Sequence, residues 1–170
     1  MRVDHSECHP LLETILETGS SLWVSPNNSL LAYLHFQYSQ RGDEIPASVE
    51  ARVTRLTDNQ TWTVPSPSVH TEPLVFISSL AWARDDKLVI SWLDSTQRSL
   101  VLTVCSEVSS EQWSCQIVGT DGSYYGHHQG QAWLQNYGPP LLSEDGGSLL
   151  TILPTSQGAQ GYWPHIVLFR

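Results

Sequence analysis

Three segments of this sequence repeat one pattern at a nearly constant distance, and this repetition limits the folds that the chain can adopt. Each segment has a large apolar residue, a small residue, a polar turn and then a strand-like run. The small residues are Ser25, Ala83 and Ser143, which lie 58 and 60 residues apart. The turns are rich in Asn, Asp and Gly, which accept the backbone angles that reverse a strand. The segments read "WVSPNNSLLAYL", "WARDDKLVISWL" and "LLSEDGGSLLTIL". A period of this length suits four-stranded propeller blades with generous loops.

Short runs rich in Val, Ile, Leu, Tyr, Trp and Thr predict strands along most of the chain. The pattern predicts an all-β fold, as roughly two to three blades of an incomplete β-propeller, and a single β-sandwich remains the alternative. "PLLETILETGSS" leaves open a short helix closed by Gly19, or an irregular loop. The predicted strands are Leu30–Tyr38, Val49–Leu56, Leu74–Trp82, Leu88–Leu93, Ser99–Cys105, Trp113–Gly119, Ser148–Leu153 and His165–Phe169.

Composition excludes several classes of protein. Hydrophobic residues make up 40% of the chain and charged residues only 15%, which is typical of a globular domain rather than a disordered one. The net charge of -9 would repel phosphate backbones, so nucleic acid is not an expected partner. The sequence contains no run of about 18 apolar residues, which a membrane-spanning helix would need. The charged start "MRVDHSECHP" is unlike a secretory signal.

Catalytic and metal-binding signatures are weak in this sequence. "GSYYG" has its serine in the wrong place for a nucleophile elbow, and no H-E-x-x-H metal motif occurs. The histidine-containing groups, "HSECH" (His5, Glu7, Cys8, His9) and His127-His128, lack a second pair at zinc-finger spacing, so solvated loop histidines are the better interpretation. We therefore expect no catalytic residue, no metal and no cofactor in this segment.

The cysteines Cys105 and Cys115 lie between two predicted strands. Nine residues separate them, whereas a redox C-x-x-C motif has two, which leaves a disulfide across a β-hairpin, with Cys8 unpaired. Two N-glycosylation sequons, at Asn27 and Asn59, also indicate an oxidising compartment. Since no export signal is present, we expect that Met1 is not the natural start and that the sequence is part of a longer ectodomain.

The stretch "AWARDDKLVISWLDSTQRSLVLTVCSEVSSEQWSC" resembles the propeller of the dipeptidyl peptidase IV family, in which a strand pair leads into a cysteine-bridged hairpin. "SSLWVSPNNSLLAYLHF" resembles the "WWSPDG-x-x-LAY" blade of that family, and "EDGGSLL" a later turn. "ETILETGSSLWVSP", "AWLQNYGPPLLSEDG" and "PTSQGAQGYWPHI" are similar to the non-catalytic branch, which associates with voltage-gated potassium channels.

The resemblance implies a type II single-pass membrane glycoprotein on the extracellular side of the plasma membrane, with an eight-bladed propeller and a hydrolase domain. Residues 1–170 would be part of that propeller, without the anchor or the hydrolase domain. The implied role is protein binding and modulation of voltage-gated potassium channels. The alternative is the substrate-gating propeller of an active post-proline serine dipeptidyl peptidase, with peptides as its partners.

Two departures from the family pattern bear on activity and assembly. Active members bind the amino terminus of the substrate with two adjacent glutamates, whereas "LLETI" offers only Glu13, which would form a weaker ammonium site. The "YPKAG" segment of the dimer arm is replaced by "SQRGDEIPASVEAR", which leaves homodimerisation through that arm open.

Overall fold

Every regular element of the described chain is a β-strand. A computed structural model describes residues 19–38, 48–68, 74–97, 99–110, 112–122, 138–156 and 162–170. Within these ranges there are eleven strands and no helix. The strands are β1 (Gly19–Val24), β2 (Leu30–Gln37), β3 (Ser48–Arg55), β4 (Thr61–Thr63), β5 (Leu74–Arg84), β6 (Lys87–Asp94), β7 (Ser99–Ser109), β8 (Gln112–Gly122), β9 (Leu141–Leu142), β10 (Leu149–Ser156) and β11 (Tyr162–Phe169).

The strands form three antiparallel meanders that follow one another along the chain. The first sheet has the order β1-β2-β3-β4, the second β5-β6-β7-β8 and the third β9-β10-β11. Within each sheet, every strand pairs with its neighbours in sequence, which is the up-and-down connectivity of propeller blades rather than the crossed connections of a sandwich. The prediction of an all-β fold with two to three blades is confirmed, and all eight predicted strands are present.

The second sheet lies between the other two, and its sequence shows why. On β6, Leu88, Ile90 and Trp92 pack into one apolar cluster with the first sheet. Val89 and Leu93 point to the opposite face and pack into a second cluster with the third sheet. A strand that is covered on both faces gains from apolar residues at consecutive positions, which explains the nearly continuous apolar run "LVISWL".

Two of the three repeated turns have the same hydrogen bonds. The hydroxyl of Ser25 accepts the Leu30 N–H at 2.9 Å, and the hydroxyl of Ser143 accepts the Ser148 N–H at 2.8 Å. Each serine hydroxyl also donates to the side chain two residues on, Asn27 or Asp145. The fourth residue has a positive φ in both turns, 58° at Asn28 and 75° at Gly146, which these residue types tolerate best.

The remaining repeated segment, at Ala83, occupies the same place between strands but has a tighter turn. Arg84 pairs directly with Lys87, so only two residues connect β5 to β6. Alanine has no hydroxyl with which to build the serine-centred turn.

Gly19, where a helix end was one prediction, begins strand β1 instead, because its backbone pairs with His35 of β2. The remainder of that predicted helix lies outside the described residues.

Candidate functional site

The hairpin of β7 and β8 extends beyond the rest of the second sheet. Strand β6 pairs with β7 only as far as the Leu88–Cys105 pair, whereas the β7–β8 ladder continues to Ser109 and Gln112. Residues 106–110 and 112–114 therefore form a two-stranded arm, which we call the hairpin arm. A two-stranded ribbon is marginally stable alone, so this arm needs support from outside its own ladder.

A disulfide between Cys105 and Cys115 closes the base of the hairpin arm. The two cysteines are direct partners across the ladder, with Cα atoms 4.0 Å apart. Cys105 is fully buried in the cluster shared with the first sheet, and Thr103 Oγ1 lies 3.5 Å from its sulfur. The bridge that the sequence predicted is thus present, and it fixes the arm at the point where the arm leaves the core.

The hairpin arm is held by the turn between β3 and β4 of the first sheet. Arg55 Nη2 forms an ion pair with Glu107 Oε1 at 2.7 Å, and Gln60 Nε2 donates to the Ser110 carbonyl at 2.9 Å. The Arg55 guanidinium also lies over the Trp62 ring, 4.8 Å from its centroid. Its hydrogen bonds to Asp58 and then to Glu107 raise the pKa of Arg55 above its usual value. Arg55 therefore connects the two sheets at the arm.

A group of tryptophans joins the same two sheets beneath the hairpin arm. Trp82 Nε1 donates to the Trp23 carbonyl of β1 at 2.7 Å. The Trp82 ring meets the Trp113 ring edge to face, with centroids 6.1 Å apart, and Trp113 is almost fully buried. Such aromatic pairs contribute about 0.5–1.5 kcal/mol beyond their buried area. The hairpin arm is therefore fixed at its base, at its tip and along its inner face.

The two predicted glycosylation sites lie in exposed turns with different hydrogen bonding. Asn27 Oδ1 accepts hydrogen bonds from the Ser29 N–H and the Ser29 hydroxyl, at 3.0 and 2.7 Å. Asn59 is also exposed and has a φ of 61°, while its sequon hydroxyl on Thr61 bonds to Thr54 at 2.7 Å. Both asparagines are accessible, and Asn59 lies in the turn that holds the hairpin arm.

The other predicted site residues lie outside the described residues, namely Glu13, the group His5, Glu7, Cys8 and His9, and the pair His127-His128. Within the described ranges, no group of three or more His, Cys, Asp and Glu side chains could hold a metal ion. No helix in that part of the chain is long and apolar enough to cross a membrane.

Sequence reasoning missed the ion pair and hydrogen bonds that hold the hairpin arm against the first sheet. Arg55 and Glu107 are 52 residues apart, and Gln60 and Ser110 are 50 apart. No local pattern indicates a contact at that distance. The repeat could have suggested only that the sheet of one repeat lies beside the sheet of the next.

Comparison with known proteins assigns this arrangement to a family. A family model for the dipeptidyl peptidase IV N-terminal region matches residues 35–170. Inactive dipeptidyl peptidase 10 of Rattus norvegicus is 22% identical over 183 aligned residues, which cover 92% of this chain and 22% of that protein. Prolyl endopeptidase FAP of Homo sapiens is 30% identical over 130 residues, which cover 61% of this chain and 17% of that protein.

A solved structure supports the fold independently of sequence. The crystal structure of a Bacteroides ovatus protein, assigned as a candidate dipeptidyl aminopeptidase IV, matches with a TM-score of 0.61 at 11% sequence identity. The match covers 88% of this chain and 22% of that protein. The chain thus spans about a fifth of the length of the proteins it resembles.

Proposed function

This chain belongs to the family of dipeptidyl peptidase IV N-terminal regions, and from that membership we propose that it is a protein-binding part of an extracellular propeller, without catalytic activity of its own. Its partners under this proposal are voltage-gated potassium channel subunits, whose gating it modulates. The observation that carries the proposal is the match to inactive dipeptidyl peptidase 10, which extends over 92% of this chain. The segments that resemble the channel-associated branch support the same partner.

The geometry of the hairpin arm favours a binding role. A disulfide at its base, the Arg55–Glu107 ion pair along its length and the Gln60–Ser110 hydrogen bond at its tip hold the arm in one position. A surface that is already ordered loses little conformational entropy when a partner binds. Rigid strands with fixed side chains are therefore better suited to recognition than a free loop of the same length.

The direct test of the proposed partner is co-purification. The full-length protein, solubilised from cells that also express the pore subunit of a voltage-gated potassium channel, should co-purify with that subunit. A sodium channel pore subunit expressed at the same level is the matched control. Equal recovery of both subunits, or of neither, would contradict the proposal.

The proposed extracellular location rests on the disulfide and on the two exposed sequons. Disulfides persist in oxidising compartments, and glycans are added to exposed asparagines in the secretory pathway. We expect full-length protein from mammalian cells to lose mass on treatment with an N-glycosidase. Asn27→Gln and Asn59→Gln should each remove one glycan. An unchanged mass for the wild type would show that neither site is used.

The alternative function is substrate gating in an active post-proline dipeptidyl peptidase. The 30% identity to prolyl endopeptidase FAP favours it, and Glu13 would then hold the amino terminus of the substrate. The purified full-length protein should release no dipeptide from a Gly-Pro reporter if our proposal is correct. Release that Glu13→Gln reduces, with little change after Glu17→Gln, would establish the alternative instead.

A further inference from the structure

An open cleft lies between the second and third sheets, on the side of the hairpin arm that faces away from the first sheet. The two sheets pack tightly around Leu102 and Leu149. Beyond that point the third sheet ends in the Ser143–Ser148 turn, while the second sheet continues as the hairpin arm. The face of the arm toward the third sheet is therefore left uncovered, and the resulting cleft has a volume of about 600 Å³. This volume lies within the range of about 300–1,000 Å³ that is usual for ligand sites.

The floor of the cleft is apolar and shaped by a glycine. Phe169 of β11 packs against β8 at Gly119, where an added Cβ atom would lie 2.6 Å from the ring. Only a residue without a side chain permits this approach, so Gly119 keeps the Phe169 ring against the wall of the cleft. Val108 of the hairpin arm and Ile117 of β8 also line the cleft and are 59% and 42% exposed, respectively. These large side chains offer an apolar surface to an incoming group.

The charge of the cleft is opposite to that of the whole chain. Arg84, Lys87 and Arg170 line it, and they are three of only eight Lys and Arg residues in a chain of net charge -9. Asp145 is the single carboxylate among the described lining residues. A positive cleft on an acidic protein attracts anionic groups and repels cationic ones.

The carboxylate of Asp145 is already used within its own turn. It accepts hydrogen bonds from the Ser143 hydroxyl and from the Gly147 N–H, and these bonds hold the pKa of Asp145 below its usual value. Arg84 Nη2 donates to the Ser143 carbonyl at 3.2 Å, which fixes this arginine at the junction of the two sheets. Arg84 therefore has a fixed position beside the apolar floor, whereas Lys87 Nζ lies 3.7 Å from the carboxylate of Asp86 in its own turn.

We propose that this cleft binds an extended acidic peptide segment, whose carboxylates meet Arg84 and Lys87 and whose large apolar side chains cover Val108, Ile117 and Phe169. Three polar residues that line the cleft, Ser106 and Ser114 of the hairpin arm and Gln116 of β8, can bond to the peptide backbone. A polyphosphate ligand fits less well, because much of the lining is apolar. The inference is independent of the channel role, since it concerns peptide binding at the cleft alone.

Fluorescence anisotropy with the full-length protein tests this proposal. The probe is a fluorescein-labelled hexapeptide of alternating glutamate and leucine, and the matched control peptide has glutamine in place of glutamate. We expect the acidic peptide to bind about tenfold more tightly than its glutamine counterpart. Its affinity should fall as NaCl rises from about 50 to about 300 mM, because salt screens partly exposed charges.

Two charge reversals locate the site. Lys87→Glu should weaken binding of the acidic peptide about tenfold, because it replaces an attraction by a repulsion. Arg52→Glu makes the same change in net charge on the first sheet, away from the cleft, and should change the affinity less than about twofold. Val108→Asn tests the apolar surface without adding charge and should weaken binding even if Lys87→Glu alters the local turn. Equal binding of the two peptides, or equal losses in the two charge-reversal variants, would overturn the proposal.

Discussion

Reduction of the disulfide should loosen the hairpin arm by a predictable amount. The bridge joins residues ten positions apart, so it closes a small loop. In the chain-entropy model, a cross-link that closes a loop of about 10 residues lowers the conformational entropy of the open state by about 9 cal/mol/K. This loss corresponds to a free energy of about 2.7 kcal/mol at room temperature. The free energy for opening the arm should fall by up to this amount, and exchange of its protected amides should accelerate about a hundredfold.

Hydrogen exchange of the full-length protein, followed by mass spectrometry, measures this effect locally. Peptides that cover 112–118 of β8 should exchange faster after reduction, while peptides that cover 48–55 of β3 should change little. Cys105→Ala combined with Cys115→Ala should show a larger effect than reduction alone, because Cys105 is fully buried and its sulfur leaves a cavity. Cys8→Ala is the matched cysteine control and should leave the exchange of β8 unchanged.

Two results would refute this reasoning. If oxidised and reduced protein exchange at the same rate in 112–118, the cross-link does not limit the opening of the arm. If reduction accelerates amide exchange in β3 as much as in β8, the bridge stabilises both sheets together. The loop-closure estimate then does not apply to the arm alone. In that case the buried contacts of Cys105 with the first sheet would be the larger contribution.

Three further predictions concern contacts between and within the sheets. A double-mutant cycle of Arg55→Ala and Glu107→Ala should give a favourable coupling between the two side chains, measured by exchange of the arm amides. Zero coupling would refute the anchoring role of this ion pair. Gly119→Ala should destabilise the β8–β11 contact by about 1–3 kcal/mol through a clash with Phe169, and Phe169→Leu should relieve much of this loss in thermal melts. Burial lowers the pKa of His35 below 6.5 in the folded state, so as the pH falls the unfolded chain binds a proton before the folded chain does. The free energy of unfolding should therefore fall as the pH drops through about 6.5. His35→Gln should flatten this dependence.

The strands were predictable from sequence because their side chains meet strong local requirements. β6, for example, is apolar at consecutive positions and ends at Asp94, whose carboxylate accepts the Ser99 N–H in the next turn. The missed strands were β1, β4 and β9. β4 has three residues and β9 has two, too few to show a period. β1 follows a segment with helical spacing, and its pairing with β2 decided its conformation.

The repeat predicted more of the turns than of the contacts between sheets. Ser25 and Ser143 proved equivalent in their hydrogen bonds, whereas Ala83 showed that the same place in the repeat can hold a shorter turn. The cysteine pair was predicted correctly because the two residues flank one hairpin. The Arg55–Glu107 pair and the cleft beside Phe169 both depend on how one sheet stacks on the next, and no local sequence signal specifies that stacking.

Whole-cell recording of potassium currents tests the central claim most directly. A voltage-gated potassium channel is expressed alone or together with the full-length protein, and the rates of inactivation and of recovery from inactivation are compared at equal surface levels. We predict that the full-length protein changes these rates, and that it does so without releasing dipeptides from a Gly-Pro reporter. Superimposable currents in cells where both proteins reach the surface would contradict the account.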